Sequence, residues 1–342
     1  MTTHGPNLLQ PWAPITLGRG GAVPAYFRTM DWAVDFENNR RYFGAVYPTD
    51  THPSPILMPD ATGAWVSKAA NVLCREQGVG MQGVPTYQQY AANPQAPANQ
   101  TVTLSATGTY TLWIEGTGSV AVAAGTAVGT GFGSATAGNK VTFTLSAGGT
   151  VDLTVTGTVT LVNVINKAFV LPPIYSVSSI TGNRQVVDLT GRLGSGVAGF
   201  IKVDVKNTGA SGDEIFTLND GTLANRIIFR TFPGPTLGMQ VVAGGVDQAI
   251  VYIESGTYAP GVRTVAFAAG LNFFLARSVG GAAPTADTSG TYPTISTANF
   301  GGDGFGATRN IYQHTLKAAL RFGPVDQTVF DEVFALAELA AA

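Results

Sequence analysis

Sugar recognition is one chemistry for which the C-terminal half of the sequence has suitable side chains. A pyranose ring has apolar faces and a rim of hydroxyl groups, so a site for it pairs an aromatic side chain with planar hydrogen-bonding groups. Seven residues of these types are our candidate glycan-binding residues: Asn219, Asp220, Asn225, Arg226, Tyr252, Asn272 and Tyr292. Further aromatic candidates are Trp113, Tyr258 and Tyr312. Each aromatic residue could instead lie in a core or a subunit interface, and residues 219 and 220 could serve only a turn.

Catalysis is a second chemistry for which the sequence has suitable side chains. Asp204, Asp213, Glu214, Asp247 and Glu254 could supply the two carboxylates of a glycosidase if folding brought two of them together. The chain contains no G-x-S-x-G, Walker A, H-E-x-x-H or C-x-x-C motif. We therefore predict a protein that is not an enzyme and has no catalytic residues, with a glycan depolymerase as the less favoured alternative.

Metal binding and cofactor binding are not expected. A zinc site built by local spacing needs clustered Cys and His, whereas the chain has one cysteine, Cys74, and three widely separated histidines. The acidic loop residues are likewise isolated in sequence, unlike the clustered carboxylates of a calcium loop. We expect His314, near Lys317 and Arg321, to be a structural residue rather than a general base.

Composition narrows the class of protein further. The 342 residues carry a formal net charge of −2, and only 12% are charged, so binding to nucleic-acid phosphates lacks its electrostatic driving force. The uncharged stretch 116–139 is interrupted by Gly, Thr and Ser throughout, which argues against a membrane span. The first residues show no basic segment followed by an apolar run, so we expect no secretory signal and synthesis in the cytoplasm.

Three regions follow one another along the chain. Residues 1–95 are rich in proline and aromatic residues, which predicts an irregular region that packs on the rest of the chain or docks it onto a larger assembly. A short helix is expected at 65–73. Residues 96–166 are rich in Thr and Gly: 101–160 alone contains 16 Thr and 11 Gly, and its apolar residues alternate with period two. This pattern predicts a small β-sandwich.

Residues 167–342 form the third region, a predicted jelly-roll or sandwich of short strands. In the strand 226–230, Ile227 and Phe229 share one face while Arg226 and Arg230 share the other. Contact with solvent explains the two arginines as well as contact with a ligand does. The run 219–221, Asn-Asp-Gly, predicts a type I′ hairpin turn.

A helix is predicted to close the third region. Thr328 is expected to cap the helix, with Asp331 at the third position. The apolar residues of the helix that should share one face are Phe330, Val333, Phe334 and Ala337.

Two sequence stretches carry a resemblance to a known group of proteins. Residues 175–342 resemble the concanavalin-A-like (laminin-G-like) domains of tailed-bacteriophage structural proteins, through the segments 216–221, 225–227, 243–245, 265–268, 293–294 and 335–339. The Gly/Thr-rich region is similar to the sandwich that precedes such domains in phage fibre and appendage proteins, through the segments 100–104, 108–113 and 159–163.

The resemblance implies an all-β virion protein, made in the host cytoplasm, that assembles with other virion proteins and with copies of itself. We expect a homo-oligomer, with a trimer as the first choice, and a tail-fibre or appendage role in attachment to host-surface glycan. The alternative is a capsid decoration or head-fibre protein that stabilises the particle. No nucleic-acid partner and no membrane insertion are expected.

Overall fold

The computed structural model of the protein describes residues 23–27, 29–38, 40–42, 45, 48–51, 55–175, 179–180, 184–192, 194–207, 212–234, 236–254, 259–282, 285–300 and 312–342. These residues form 27 β-strands, one short 3-10 helix at Ala25–Phe27 and one α-helix. The predicted fold class is therefore confirmed: the chain is all-β, with a small Gly/Thr-rich sandwich followed by a larger concanavalin-like sandwich and a short C-terminal helix. No helix within the described ranges is long and apolar enough to span a bilayer.

The N-terminal region is less irregular than its proline content predicts. Its described part contains eight short strands: β1 (Trp32–Asp35), β2 (Arg40–Tyr42), β3 (Thr49–Thr51), β4 (Ile56–Pro59), β5 (Trp65–Lys68), β6 (Arg75–Glu76), β7 (Gly80–Gly83) and β8 (Tyr87–Gln88). Proline excludes long helices but leaves edge strands and short strands possible. Whether this region also docks onto a larger assembly stays a prediction.

The helix predicted at 65–73 is wrong. β5 instead pairs with β4 as an antiparallel hairpin, in which Trp65 lies opposite Pro59. Asp60 stabilises the connecting turn, because its Oδ1 atom accepts the N–H groups of Thr62 at 2.8 Å and Ala64 at 3.0 Å. Pairing with a neighbouring strand has overridden a weak local helix propensity.

The small sandwich consists of two four-stranded antiparallel sheets. Its strands are β9 (Gln100–Leu104), β10 (Gly108–Gly116), β11 (Ser119–Ala124), β12 (Val128–Thr130), β13 (Ser134–Thr136), β14 (Val141–Ala147), β15 (Gly149–Thr156) and β16 (Val159–Ile165). The strand order is β12-β14-β10-β16 in one sheet and β13-β11-β15-β9 in the other. Period-two alternation directs side chains such as Leu112, Phe143 and Leu153 into a common core.

The remaining strands build the larger sandwich and one short pairing with β8. They are β17 (Ser179–Ile180), β18 (Arg184–Asp188), β19 (Gly196–Val205), β20 (Glu214–Asn219), β21 (Arg226–Phe232), β22 (Thr236–Ala243), β23 (Val246–Tyr252), β24 (Gly261–Gly270), β25 (Phe273–Ser278), β26 (Thr297–Phe300) and β27 (Gln313–Phe322). A seven-stranded sheet has the order β23-β22-β21-β20-β26-β18-β3. An eight-stranded sheet has the order β2-β1-β27-β19-β24-β25, with β7 also pairing β27 and β6 pairing β7.

Strands from before residue 95 thus complete both sheets of the larger sandwich. β1 and β7 pair with β27, and β3 pairs with β18. The two sheets enclose one apolar core in which Phe216, Phe229 and Phe267 contact one another, with ring centroids 4.9–6.1 Å apart. This core holds the seven-stranded sheet in a fixed register.

The C-terminal helix, α1, spans Gln327–Ala341 and covers the outside of the eight-stranded sheet. Its buried residues include Phe330, Val333, Phe334 and Ala337, which confirms the predicted apolar face. The predicted cap at Thr328 is wrong. Asp326 caps the helix instead, because its extended backbone lets Oδ1 accept the N–H of Val329 at 2.9 Å.

Candidate ligand-binding face

The outer surface of the seven-stranded sheet carries the polar side chains that face away from the core. Ile227 and Phe229 of β21 point into the core, so Arg226 and Arg230 point outward. We use the name polar face for eleven of the outward residues of β20–β23: Glu214, Thr217, Asn219, Arg226, Ile228, Arg230, Phe232, Gly238, Gln240, Ile250 and Tyr252. Alternation along the strands selects these residues, and the antiparallel register brings them into rows.

One row of the polar face runs across four strands. Glu214 lies opposite Arg230, Arg230 opposite Gly238, and Gly238 opposite Tyr252. On the polar face, Tyr252 is 57% exposed and Ile250 is 42% exposed, whereas Glu214, Gly238 and Asn219 are buried.

An arginine and two aromatic rings stack along this row. The Cζ atom of Arg230 lies 4.8 Å from the centroid of the Phe232 ring. The Phe232 ring in turn meets the Tyr252 ring edge to face, with the centroids 5.5 Å apart. We call these three residues the arginine–aromatic stack. The Phe232 ring is buried, so the stack offers one exposed aromatic ring, that of Tyr252, close to a cation.

Gly238 makes room for the stack. A Cβ atom added to Gly238 would lie 2.8 Å from Cε2 of Phe232, which is closer than van der Waals contact allows. The Phe232 ring therefore crosses β22 directly over the glycine and reaches Tyr252 on the next strand. Any larger residue at position 238 would displace the ring.

The charges on the polar face are unevenly matched. The carboxylate of Glu214, which is buried, lies 3.8 Å from Nη1 of Arg226 and accepts a hydrogen bond from Thr217 Oγ1 at 3.4 Å. Arg230 lies opposite Glu214 in the register, yet among the described residues it has no carboxylate within ion-pair distance. Its Nε atom is buried and has no hydrogen-bond partner within the described part of the chain.

Two amides of the polar face also keep unused hydrogen-bonding capacity. Asn219 Oδ1 accepts the hydroxyl of Thr297 at 2.7 Å, while its Nδ2 has no acceptor among the residues described. Gln240 Nε2 donates to Asp247 Oδ1 at 2.6 Å, while its Oε1 finds no donor there. Buried polar groups are normally satisfied, so such groups call for an explanation.

The structure places Asp220 and Asn225 in the turn at the end of the polar face. Asp220 Oδ2 accepts a hydrogen bond from Asn225 Nδ2 at 2.8 Å, and Asn225 Oδ1 accepts one from the N–H of Gly244 at 3.1 Å. Burial raises the pKa of Asp220, but hydrogen bonds from Thr222 and Asn225 outweigh it, so the pKa lies below its ordinary value. Both residues therefore organise the turn.

The hairpin between β20 and β21 is as expected, but the predicted type I′ turn is wrong. That turn needs two consecutive residues with positive φ, and of residues 219–221 only Gly221 has one, at 88°. The strands instead pair Asn219 with Arg226 and leave a longer loop between them. Two side-chain oxygens hold this loop: Oδ1 of Asn219 accepts a hydrogen bond from the N–H of Gly221, and Oδ1 of Asp220 accepts one from the N–H of Thr222.

Asn272 and Tyr292 lie together at the edge of the larger sandwich, apart from the stack. Asn272 has a φ of 56° in the turn between β24 and β25, and its Oδ1 accepts the N–H of Gly290 at 3.1 Å. Tyr292 is partly buried against the main core, and burial raises the pKa of its hydroxyl. Both residues fix the loop around Gly290.

The other aromatic candidates are placed elsewhere. Trp113 is buried in β10 of the small sandwich, and Tyr312 is buried beside Tyr87 between the two sandwiches. Tyr258 lies outside the described residues. His314 is buried in β27, and burial, followed by the nearby Lys206, lowers its pKa to about 3.

The carboxylates considered for catalysis have separate partners. Asp204 binds Lys206, and Glu254 accepts Nε of Arg263 and the hydroxyl of Ser278. Within the described ranges, no group of three or more His, Cys, Asp and Glu is placed to hold a metal ion.

Sequence reasoning listed Arg226 and Tyr252 as candidates and placed Arg230 on the same face as Arg226 without making it one; it missed Phe232, Gly238 and Gln240. The even-numbered positions of β21 place Phe232 on the face of Arg230, so the period-two pattern contained this signal. Gly238 and Gln240 became recognisable only with the register of β22 against β21.

Comparisons with known proteins gave structural matches alone. No protein-family model and no curated protein matches the sequence. A binding domain of botulinum neurotoxin serotype D/C has 10% identity and a TM-score of 0.34, over 45% of this chain and 41% of that one. The binding domain of botulinum neurotoxin DC in complex with rat synaptotagmin II has 11% identity and a TM-score of 0.35, over 50% and 45%.

The NanB sialidase from Streptococcus pneumoniae has 13% identity and a TM-score of 0.33, over 42% of this chain and 25% of that one. The matched segments thus span less than half of each of these proteins. Function has to be argued from the residues of this chain.

Proposed function

We propose that this chain is a non-enzymatic structural protein of a tailed-phage virion, a tail-fibre or appendage subunit that attaches to host-surface glycan through the polar face. The observation that carries the attachment role is the arginine–aromatic stack over Gly238. An exposed aromatic ring offers the apolar surface that a pyranose face needs, and Arg230 and Gln240 beside it supply planar hydrogen-bonding groups.

The virion role is supported by the order of the two sandwiches. A Gly/Thr-rich sandwich followed by a concanavalin-like sandwich is the arrangement that the sequence resemblance to phage fibre and appendage proteins led us to expect. Assembly with copies of the same chain, a trimer first, remains part of this proposal. Light scattering at micromolar concentration tests it, and a stable monomer would count against it.

Glycan binding can be tested with one variant and a matched control. Fluorescently labelled protein is applied to a glycan array, and Tyr252→Ala is compared with Tyr175→Ala, which removes a tyrosine that is also exposed but lies outside the polar face. We expect Tyr252→Ala to bind at least roughly tenfold more weakly, as for a central aromatic contact. Equal loss in both variants would refute a site at the stack.

The role of the protein within the virion and its proposed lack of enzymatic activity need separate measurements. Immuno-electron microscopy on virions that carry the protein should label the tail, whereas label on the capsid would favour the decoration or head-fibre role. Incubation with a bound polysaccharide should release no new reducing ends. Their appearance would instead identify a depolymerase.

A further inference from the structure

We infer that the glycan bound at the polar face is acidic, and that its carboxylate or other anionic group pairs with Arg230. This inference rests on the proposed function and adds the chemical class of the ligand. It follows from the distribution of charge around the stack.

Arg230 is a cation whose expected partner is bound to other groups. Its cross-strand neighbour Glu214 faces Arg226 at 3.8 Å and Thr217 at 3.4 Å. A guanidinium has five N–H donors and is always charged, so it is suited to a planar anion with two oxygens. On the described part of the polar face, the Nε of Arg230 is buried and lacks an acceptor.

Four other carboxylates of the seven-stranded sheet and its loops also have partners. Asp247 accepts the amide of Gln240 at 2.6 Å, and Asp220 accepts Asn225 at 2.8 Å. Glu254 accepts Nε of Arg263 at 3.1 Å with each of its oxygens. Asp188, farther along the same surface of the sheet, accepts the N–H of Thr190 at 2.8 Å. An anion supplied by the ligand would therefore meet Arg230 without displacing an internal partner.

The stack fixes the position of the guanidinium. Arg230 lies over the Phe232 ring, and Phe232 is held between Gly238 and Tyr252. A sugar ring resting on the exposed Tyr252 would thus place a substituent on its rim toward Arg230. Such preorganisation reduces the entropy lost on binding.

The test is a glycan array with matched pairs. Glycans that end in glucuronic, galacturonic or sialic acid are printed beside the neutral glycans that lack the carboxylate, and sulfated and phosphorylated glycans form a third arm. Wild type, Arg230→Gln and Arg230→Lys are compared with Arg40→Gln, which removes an exposed arginine from β2 of the other sheet. Circular dichroism and thermal melting check that each variant folds.

We expect wild type to prefer the acidic member of at least one pair, and Arg230→Gln to bind it roughly 10- to 100-fold more weakly, as for loss of a charge-assisted bidentate contact. Arg230→Lys should lose less affinity for the acidic glycan, and Arg40→Gln should bind it as strongly as wild type does. Preference for the sulfated or phosphorylated arm with the same Arg230 dependence would keep the inference and identify the anion.

Other results would overturn the inference. Binding to neutral glycans alone, or acidic binding that Arg230→Gln leaves unchanged, would refute it while the proposed attachment role stands. Binding to no glycan at all would refute the attachment role and the acidic ligand together.

Discussion

The two sandwiches of this chain use the same alternation of apolar and polar residues but end with different outer surfaces. On the small sandwich, the outward residues are short and bond to one another: Thr109 and Thr144 hydroxyls lie 3.2 Å apart, and Thr101 Oγ1 donates to Asp152 Oδ1 at 2.6 Å. On the larger sandwich, the polar face has long planar side chains, and some of their donors and acceptors have no partner among the described residues. Unused hydrogen-bonding capacity beside an exposed ring, rather than polarity alone, distinguishes a candidate binding surface from a solvated one.

The largest effect should separate a core residue of the larger sandwich from a surface residue of the small one. Phe229→Ala removes a ring from the core and should lower the free energy of unfolding by roughly 3–5 kcal/mol. Thr144→Ala on the exposed surface of the small sandwich should change it by less than about 0.5 kcal/mol. Chemical denaturation measures both. Similar values for the two variants would show that the inner face of the seven-stranded sheet is not the packed core described.

The two sandwiches should also differ in how their stability depends on pH in the acidic range. Residues 96–166 contain no histidine, whereas the larger sandwich buries His314 in its neutral form. Because the pKa of His314 falls from 6.5 when unfolded to about 3 when folded, the unfolded chain binds the extra proton between these values. The contribution of neutral His314 to stability is therefore fully present above pH 6.5 and is lost as the pH drops toward 3, by at most about 1.4 kcal/mol per pH unit.

Hydrogen exchange followed by mass spectrometry can locate this acid sensitivity. Between pH 6.5 and 4.5, after correction for the intrinsic exchange rate, β27 and its neighbours should lose protection while β9–β16 keep theirs. His314→Gln should reduce the loss. If the variant behaves as wild type does, another group controls the acid response.

Substitution of Gly238, which lies beneath the stack, should show a smaller and more local difference in stability between the two sandwiches. Gly238→Ala should cost roughly 1–3 kcal/mol of stability, because a Cβ atom there overlaps the Phe232 ring, and it should weaken glycan binding. Gly133→Ala in the small sandwich is the matched control, since its added Cβ would find its nearest neighbour at 3.7 Å. Thermal melting that shifts equally for both variants would contradict the packing of Phe232 over Gly238.

Sequence patterns predicted the strands more reliably than they predicted the candidate site. The period-two rule placed Ile227 and Phe229 inside and Arg226 and Arg230 outside, because alternation is a local property of one strand. It could not show that Phe232 crosses Gly238 to Tyr252, since that contact depends on the register of three strands. It also could not reveal that β1, β3 and β7 pair with strands more than a hundred residues away.

Sequence reasoning treated Asn219, Asp220 and Asn225 as ligand candidates because of their side-chain types. The structure shows that each forms hydrogen bonds that hold the turn between β20 and β21. The same amide and carboxylate groups suit a sugar and a backbone N–H equally well. Only the three-dimensional arrangement of their partners separates these two uses.

Hydrogen exchange of the free and the glycan-bound protein tests the central claim most directly. With the best-binding glycan from the array, peptides covering 226–252 should gain protection around Arg230 and Tyr252, and peptides covering 100–165 should be unchanged. Protection confined to the small sandwich, with none in β21–β23, would contradict the assignment of the polar face as the binding surface.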